Sequence, residues 1–323
     1  MKRRAFVGLA GSALATPSGL HAQANRTVGL LSTGSSIDYL TTAFFKGLSS
    51  AGFEEGRNMT IVRRSAQGKA DRLPELASEL VGQDVSVIFA SGGPGPTRAA
   101  KAATRSIPVV FAYGGDPVAD GLVSSIGRPD GNVTGATFLG ATFTAKRLEL
   151  LKQLVPAAPD VAMLVNLKST LTEIQLRDAR AAAQALGQTL NVFDAEGGSE
   201  IDAAFAEMAR RKVSALLIGT DPGYGLVFRD RIISLAAQYG LPAMYDSRDF
   251  VAAGGLASYG SVLTDTWRQA GIYVGRVLKG EKPADLPVVQ PTRFETVINV
   301  KTARILGLQI PAGVLALADD TID

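Results

Sequence analysis

The sequence predicts an α/β protein of two Rossmann-like lobes, each built on a parallel sheet, joined by a hinge. Two observations lead to this prediction. Apolar strand-like runs alternate along the chain with helical stretches of roughly 10–15 residues, which is the pattern of βαβ units and a parallel sheet. The order of strands and helices in the first half then recurs in the second half.

Four predicted strands separated by helices make up the first half. The strand over 28–32 precedes a helix in which Leu40, Phe44 and Leu48 recur at helical spacing, so one face of that helix is expected to pack on the sheet. The elements that follow are a strand over 59–62, a helix over 71–82, a strand over 85–90, a helix over about 96–104 and a strand over 108–111.

The second half repeats this plan and some of its residues. The matching pairs are 28–31 with 161–164, 85–86 with 213–214, 94–95 with 222–223, and 107–111 with 241–245. Helices with apolar stripes at 176–186 and 228–239 lie between these strands. Ligands of open α/β sheets bind beyond the carboxyl ends of the strands, so two facing lobes predict one shared cleft that closes by a hinge.

The N-terminal residues 1–24 are predicted to be a signal peptide. Lys2, Arg3 and Arg4 precede the apolar and small-residue stretch 6–20, and Ala22-Gln23-Ala24 provides a cleavage pattern. Cleavage after Ala22 and after Ala24 fit equally, and the arginine pair leaves both the Sec and the twin-arginine routes open. A buried N-terminal helix is the alternative, although Pro17 and the clustered cations fit it poorly. Export predicts a periplasmic protein.

The charge balance and the residue composition exclude several classes of function. The first 24 residues hold three of the 33 Lys and Arg and none of the 30 Asp and Glu, so the rest is balanced in charge and no nucleic-acid partner is predicted. The only His is His21 and there is no Cys, so the mature chain lacks both. Zinc fingers, Ser-His-Asp catalysis, Cys-His catalysis and a lipid-anchored N-terminal Cys are therefore excluded, and no metal or cofactor is predicted.

In the first lobe, three loops after predicted strands hold the candidate binding residues. The first contains Ser32 and Thr33, whose hydroxyls suit a carboxylate, and the second is the glycine-rich stretch with Ser91 and Gly92. That stretch matches neither a Walker loop nor G-x-G-x-x-G. The third contains Tyr113, Gly115 and Asp116, where an acid suits an amine and an aromatic suits a planar group. Helix capping and turn formation are the alternatives for these residues.

In the second lobe, the matching strand ends hold Asn166, Asp221 and Tyr245-Asp246-Ser247, of which Asn166, Asp221 and Tyr245 are the predicted ligand contacts. Trp267 lies in a helix with Ala270, Tyr273, Val274 and Val277, a stripe more typical of a core than of a ligand site.

Several segments of the C-terminal third form a recognisable pattern: 278–283, 290–295, 297–303 and 306–311. The upstream segments 107–111, 115–118 and 131–135 and the opening Met1-Lys2-Arg3-Arg4 fit the same pattern. Together they resemble the ABC-transporter substrate-binding family that includes binders of aromatic amino acids. The resemblance implies a type I periplasmic-binding-protein fold, capture of an amino acid or a similar small polar or aromatic solute, and delivery to an ABC permease. It implies no catalysis. A monomer is expected.

The repeat and the resemblance together predict the lobe boundaries. The first lobe is expected to contain 25–140 plus 262–282, and the second 141–261 plus 283–323. The alternative function is an exported carboxylate-dependent hydrolase on a doubly wound scaffold, which requires two close acids such as Asp116 and Asp221. A sensing domain of a receptor or repressor is a third possibility, but the chain has no additional DNA-binding or membrane segment for it.

Overall fold

The computed structural model describes residues 26–34 and 38–323, which form two α/β lobes around two separate sheets. The predicted signal peptide lies outside the described residues. No helix in the described part of the chain is long and apolar enough to cross a membrane.

The first sheet has five parallel strands in the order β2-β1-β3-β4-β5. Its elements are β1 (Arg26–Ser32), α1 (Asp38–Ser50), β2 (Met59–Ser65), α2 (Leu73–Gly82), β3 (Val87–Ser91), α3 (Pro94–Ala103), β4 (Val109–Tyr113) and β5 (Val133–Thr137). The central strands β3 and β4 are buried almost throughout, as expected for parallel strands with helices on both faces.

The second sheet has seven strands in the order β12-β11-β10-β9-β8-β6-β7, and only the β10–β11 pair is antiparallel. Its lobe contains α4 (Thr144–Leu154), β6 (Asp160–Val165), α5 (Thr172–Ala185), β7 (Thr189–Asp194), α6 (Gly198–Arg210), β8 (Leu216–Ile218), α7 (Pro222–Leu226), α8 (Arg229–Gln238), β9 (Ala243–Tyr245), α9 (Arg248–Ala252) and β10 (Ala257–Ser261). After a long helix, α10 (Leu263–Leu278), the lobe is completed by β11 (Phe294–Asn299), α11 (Val300–Ile305), α12 (Ala312–Leu317) and β12 (Asp320–Ile322).

Helix α10 returns to the first lobe and packs against α1. Two glycines allow a close approach of the helix backbones. A Cβ on Gly47 would stand 2.1 Å from the carbonyl oxygen of Arg268, and one on Gly271 would stand 2.1 Å from that of Phe44. Real Cβ atoms do not approach other atoms so closely, so any side chain at either position would force the helices apart.

The segment after α10 differs from the predicted lobe boundary at residue 283. Leu286 and Val288 are buried in the two core clusters of the first lobe, one in each, and not in the core of the second lobe. Thr134 donates a hydrogen bond to the carbonyl of Leu286 (2.7 Å), and Val289 forms a bridge with Ala136 at the edge of that sheet. The chain therefore passes to the second lobe after residue 289, because backbone groups at the β5 edge need a partner that this segment provides.

Three connections between the lobes run side by side and form the hinge. They follow β5, β10 and the segment ending at Val289. Val262 donates its backbone N–H to Arg293 (3.1 Å), Thr137 donates to Val289 (2.8 Å), and the Ser261 hydroxyl donates to the carbonyl of Phe138 (2.6 Å). The strands of both sheets end near this hinge, so the loops that follow them face one cleft.

Candidate ligand-binding site

A cavity of about 160 Å³ lies between the lobes, and both contribute to its walls. At roughly 10–15 Å³ for each water-sized group, it has space for on the order of ten such groups, which suits one small solute. The first-lobe residues used below are Ser32, Phe44, Arg63, Arg64, Ser65, Phe89, Ser91, Gly92, Tyr113, Phe138 and Trp267, and those of the second lobe are Leu171, Thr220, Asp221, Leu226, Asp246, Ser247 and Asp249.

Loops after β1 and β3 form the polar part of the first-lobe wall. The hydroxyls of Ser32 and Ser65 each donate to the carbonyl of Gly34 at 2.8 Å, and Thr33 donates its hydroxyl to the carbonyl of Gly92 at 2.5 Å. These bonds tie neighbouring strand ends together. Gly92 has a φ of 86°, a backbone conformation that glycine adopts without steric cost. The loops therefore hold hydroxyls and main chain at the cavity surface.

Aromatic rings form the apolar part of the same wall. Phe44 from α1 and Phe89 from β3 stack with centroids 4.3 Å apart and planes inclined by 25°. Phe138 and Trp267 lie 5.8 Å apart with an interplanar angle of 32°. Trp267 packs on the core, as its helical stripe predicted, but it also lines the cavity. The cavity thus offers flat apolar surfaces to a ligand.

Asp221 caps helix α7 at the edge of the second-lobe wall. Its carboxylate accepts the backbone N–H of Gly223 at 2.7 Å and the side-chain amide of Asn166 at 3.4 Å. Burial raises the pKa of Asp221, while these hydrogen bonds and one from Ser169 act in the opposite direction. The carboxylate therefore lines the cavity with much of its hydrogen-bonding capacity already used by the protein.

Asp246 follows β9 and lies deeper in the second lobe, beside a buried arginine. Burial raises the pKa of Asp246, and the charge of Arg147 opposes that rise. Arg147 is only 1% exposed. It donates from Nε to the carbonyl of Tyr259 at 2.7 Å and from Nη1 to the Thr220 hydroxyl at 3.0 Å. Burial lowers the pKa of Arg147 to about 10.

Five of the ten predicted contacts line the cavity: Ser32, Ser91, Gly92, Tyr113 and Asp221. Two more support these residues from behind, because Thr33 binds the Gly92 carbonyl and Asn166 binds the Asp221 carboxylate. Strand-end reasoning therefore locates the cleft and part of its polar lining.

The other three predicted contacts lie elsewhere. Asp116 is exposed and its carboxylate accepts the backbone N–H groups of Val118 (2.8 Å) and Ala119 (3.2 Å), so it caps a turn instead of facing a ligand. Gly115 is buried, and its carbonyl accepts the Thr137 hydroxyl at 2.8 Å.

Tyr245 points into the core and stacks on Phe250 with centroids 4.7 Å apart. Successive strand residues point to opposite faces, so the cavity contact from this strand end is the next residue, Asp246.

The carboxylate pair required for a hydrolase is not assembled as predicted. Asp221 lines the cavity, whereas Asp116 is held in the exposed turn after β4 and is absent from the cavity wall. The two acids that do share the wall with Asp221 are Asp246 and Asp249.

Asp246 had a sequence signal in the motif after β9. The aromatic residues of α1 and α10 were missed because their helical spacing is equally typical of core packing.

Comparisons with known proteins match this architecture. Residues 28–322 match the model of the family described as ABC transporter substrate binding protein. A tyrosine-binding protein of Clostridioides difficile (strain R20291) is 29% identical over 276 residues, covering 85% of this chain and 78% of that protein.

Two solved structures are also similar over nearly the whole chain. One is an ABC domain from Streptococcus pneumonia in complex with L-Trp, with a TM-score of 0.83, 26% identity, and coverage of 93% of this chain and 100% of that chain. The other is a conserved domain protein from Vibrio cholerae, with a TM-score of 0.84, 26% identity, and coverage of 92% and 99%. The predicted two-lobed fold and family resemblance are confirmed, and the chain belongs to the ABC transporter substrate-binding protein family.

Proposed function

We propose that this protein captures an aromatic amino acid, or a similar small solute with a flat apolar body, and presents it to an ABC permease in the inner membrane. The observation that carries the proposal is the cavity shared by both lobes, with the stacked Phe44 and Phe89 and the Phe138–Trp267 pair on one wall. Carboxylates from the second lobe complete the opposite wall. Such a site binds a ligand with an aromatic end and a polar end.

The aromatic wall provides most of the expected binding free energy. An aromatic side chain buries roughly 150–250 Å² when it is enclosed. At about 25 cal/mol per Å², this gives about 4–6 kcal/mol before the costs of association. The polar groups then determine which aromatic solute is accepted, because an unpaired buried polar group is costly.

The relatives support the same ligand class. One is named for tyrosine binding and another was solved with L-Trp.

In this chain the two lobes are in contact around the cavity. A Cβ on Gly93 would lie 2.9 Å from Cγ of Pro222, and one on Gly34 would lie 2.9 Å from Cβ of Leu226. The first-lobe loops and α7 thus enclose the site, as ligand capture between the lobes requires.

Calorimetry with the purified protein tests the ligand class. L-Tyrosine, L-tryptophan and L-phenylalanine are expected to bind, and L-leucine and L-glutamate to bind more weakly. Trp267→Ala should weaken binding of the aromatic amino acids by roughly tenfold, since about 1.4 kcal/mol of ring contact is lost. Trp267→Phe is the matched control, and it should lose less. If no aromatic solute binds the wild-type protein, the proposed ligand class is wrong.

Export and assembly form part of the same proposal. The protein acts as a periplasmic monomer without catalytic activity, beginning at Gln23 or Asn25 after removal of the signal peptide. Intact-mass analysis of the periplasmic fraction tests the cleavage, and a product that retains Met1 to Leu20 contradicts it. Changing Arg3 and Arg4 together to Lys should block export by the twin-arginine route and be tolerated by the Sec route.

A further inference from the structure

Arg147 is a buried cation, and the described part of the chain places no carboxylate within 4.0 Å of it. It projects from α4, is 1% exposed, and uses Nε and Nη1 on the neutral acceptors Tyr259 and Thr220. Its Nη2 has no hydrogen-bond partner within the described residues, and no carboxylate there forms an ion pair with it within 4.0 Å. A buried guanidinium in such surroundings is costly unless a nearby negative charge compensates it.

Asp246 provides that charge. It is the acid whose charge acts on Arg147. Thr220, which binds Nη1 of Arg147 at 3.0 Å, lines the cavity with Asp246 and lowers the pKa of the Asp246 carboxyl. The Thr220 hydroxyl accepts from Nη1 of Arg147, which leaves its own proton for the Asp246 carboxylate. The missing side chain of Gly260 allows the backbone of Asp246 to approach closely. A Cβ there would lie 2.1 Å from the backbone carbonyl oxygen of Asp246 and 3.9 Å from Nη2 of Arg147.

The groups that face Asp246 come from several elements. Arg147 approaches from α4 and Thr220 from the loop after β8, while Ser247 hydrogen-bonds the carboxylate from its own loop. Asp249 from α9 adds a second negative charge, and its pKa is raised by burial and, to a smaller degree, by the charge of Asp246. Arg229 partly offsets Asp249. The two arginines on the first-lobe side, Arg63 and Arg64, are each paired with a glutamate. The second-lobe wall therefore has more negative than positive charge.

We infer that Asp246, kept ionised and oriented by Arg147 through Thr220, is the carboxylate that binds the ammonium group of the ligand. This inference rests on the proposed function and deepens it, because it specifies a primary amine as the polar end of the aromatic solute. Arg147 is a positioning residue, since it lies behind Asp246 and does not line the cavity.

Asp221 is less suited to this role. Its carboxylate is engaged by the backbone N–H of Gly223 and by Asn166 and Ser169. An ammonium ion placed beside Asp246 instead completes a row of alternating charge, from Arg147 through the carboxylate to the ligand. Its attraction is strengthened in the enclosed cleft, where water is excluded.

The test compares two probes that differ only in the amine: L-tyrosine and 3-(4-hydroxyphenyl)propionate. The wild-type protein should bind L-tyrosine more tightly, roughly tenfold to a hundredfold, as expected for one charge-assisted hydrogen bond. Asp246→Asn should remove most of this preference. Asp116→Asn is the control, because Asp116 is exposed and lies outside the cavity wall, and it should leave both affinities unchanged. Asp221→Asn distinguishes the two cavity acids: whatever its effect on overall affinity, it should retain the preference for the amine.

The pH dependence of L-tyrosine affinity tests Arg147. Binding requires the ionised carboxylate, so affinity should fall as the pH decreases through the pKa of Asp246. Arg147→Met removes the charge that opposes the raised pKa, and the loss of affinity should therefore move to higher pH. Arg147→Lys keeps the charge and should leave the profile near that of the wild type. If Arg147 had only a structural role, Arg147→Met would not move the midpoint. Circular dichroism confirms folding, and Asp246→Asn provides the test if Arg147→Met does not fold.

The outcomes separate the inference from the proposed function. If both probes bind equally and Asp246→Asn changes neither affinity, the inference is wrong although an aromatic solute is still captured. An unchanged pH midpoint in a folded Arg147→Met protein overturns the role of Arg147. If neither probe nor any other aromatic solute binds the wild-type protein, the proposed function fails as well.

Discussion

The phenol of Tyr39 donates a hydrogen bond to the carboxylate of Asp249 across the cleft. Tyr39 belongs to α1 of the first lobe and Asp249 to α9 of the second, and they are 210 residues apart in sequence. Burial raises the pKa of Asp249, and the bond from Tyr39 opposes this rise. The contact exists only when the lobes are together, so it stabilises the closed state relative to the open one.

Removing this hydroxyl should speed ligand release. Tyr39→Phe deletes a hydrogen bond worth roughly 0.5–1.5 kcal/mol, so the dissociation rate should rise about twofold to tenfold while association changes little. Stopped-flow fluorescence with the identified ligand measures both rates. Tyr273→Phe is the control, since the Tyr273 hydroxyl bonds the Pro287 carbonyl within the first lobe. Equal release rates in Tyr39→Phe and wild type would contradict the prediction.

A side chain at Gly93 should obstruct closure. The glycine has a φ of 103°, and a Cβ would meet Cγ of Pro222 in the second lobe at 2.9 Å. Gly93→Ala is expected to lower ligand affinity about tenfold or more and to reduce the ligand-induced compaction seen by small-angle scattering. Gly121→Ala separates backbone strain from the clash, because Gly121 also has a positive φ (68°) but no atom lies within 4 Å of its Cβ position. This control should bind normally.

Overpacking between α1 and α10 should destabilise the first lobe. Gly271→Ala places a Cβ against the Phe44 carbonyl, and such insertions cost roughly 1–3 kcal/mol. Urea unfolding should show a lower midpoint. Gly82→Ala is the contrasting variant, because its Cβ position at the end of α2 is open. It is expected to be neutral or stabilising by up to about 1 kcal/mol. A Gly271→Ala protein as stable as wild type would show that the helices separate without cost.

Asp221 should reduce stability at neutral pH in the absence of ligand. Its folded-state pKa is raised, mainly by burial. The folded protein therefore holds this proton more tightly than the unfolded chain, and its contribution to stability falls as the pH rises through the folded pKa. Asp221→Asn keeps an acceptor for the Gly223 N–H and should increase the free energy of unfolding at neutral pH. The difference should shrink as the pH falls and vanish below about pH 4, where Asp221 becomes protonated in both the folded and the unfolded state, as measured by denaturant unfolding. A constant difference at all pH values would contradict this account.

Periodicity and internal repetition were sufficient to predict the two lobes and the location of the cleft. Alternation of apolar strands with helices is a local signal, and it identified β1, β3 and β4 and their counterparts β6, β8 and β9. The carboxyl ends of these strands do line the cavity with Ser32, Ser91 and Asp221.

The remaining site residues depend on side-chain direction, which periodicity does not resolve near the end of a short strand. Tyr245 and Asp246 are adjacent, yet only Asp246 reaches the cavity. Asp116 was predicted as a ligand contact because of its charge. The following Pro117 favours a turn in which the Asp116 carboxylate accepts a backbone hydrogen bond instead. Trp267 serves both core and cavity, and only the packing of α10 on the first lobe reveals the second role.

The return of α10 to the first lobe affects how the protein folds during its synthesis. The core around Val28, Phe44 and Val110 is closed by Ala270, Val274 and Leu286, which leave the ribosome long after the strands they cover. At about 5–20 residues per second, the delay is on the order of ten seconds. During that time the continuous strands β6 to β10 of the second lobe can already assemble. A nascent chain that stops before α10 thus exposes an unfinished apolar surface, and its N-terminal half becomes stable only when the C-terminal third has emerged.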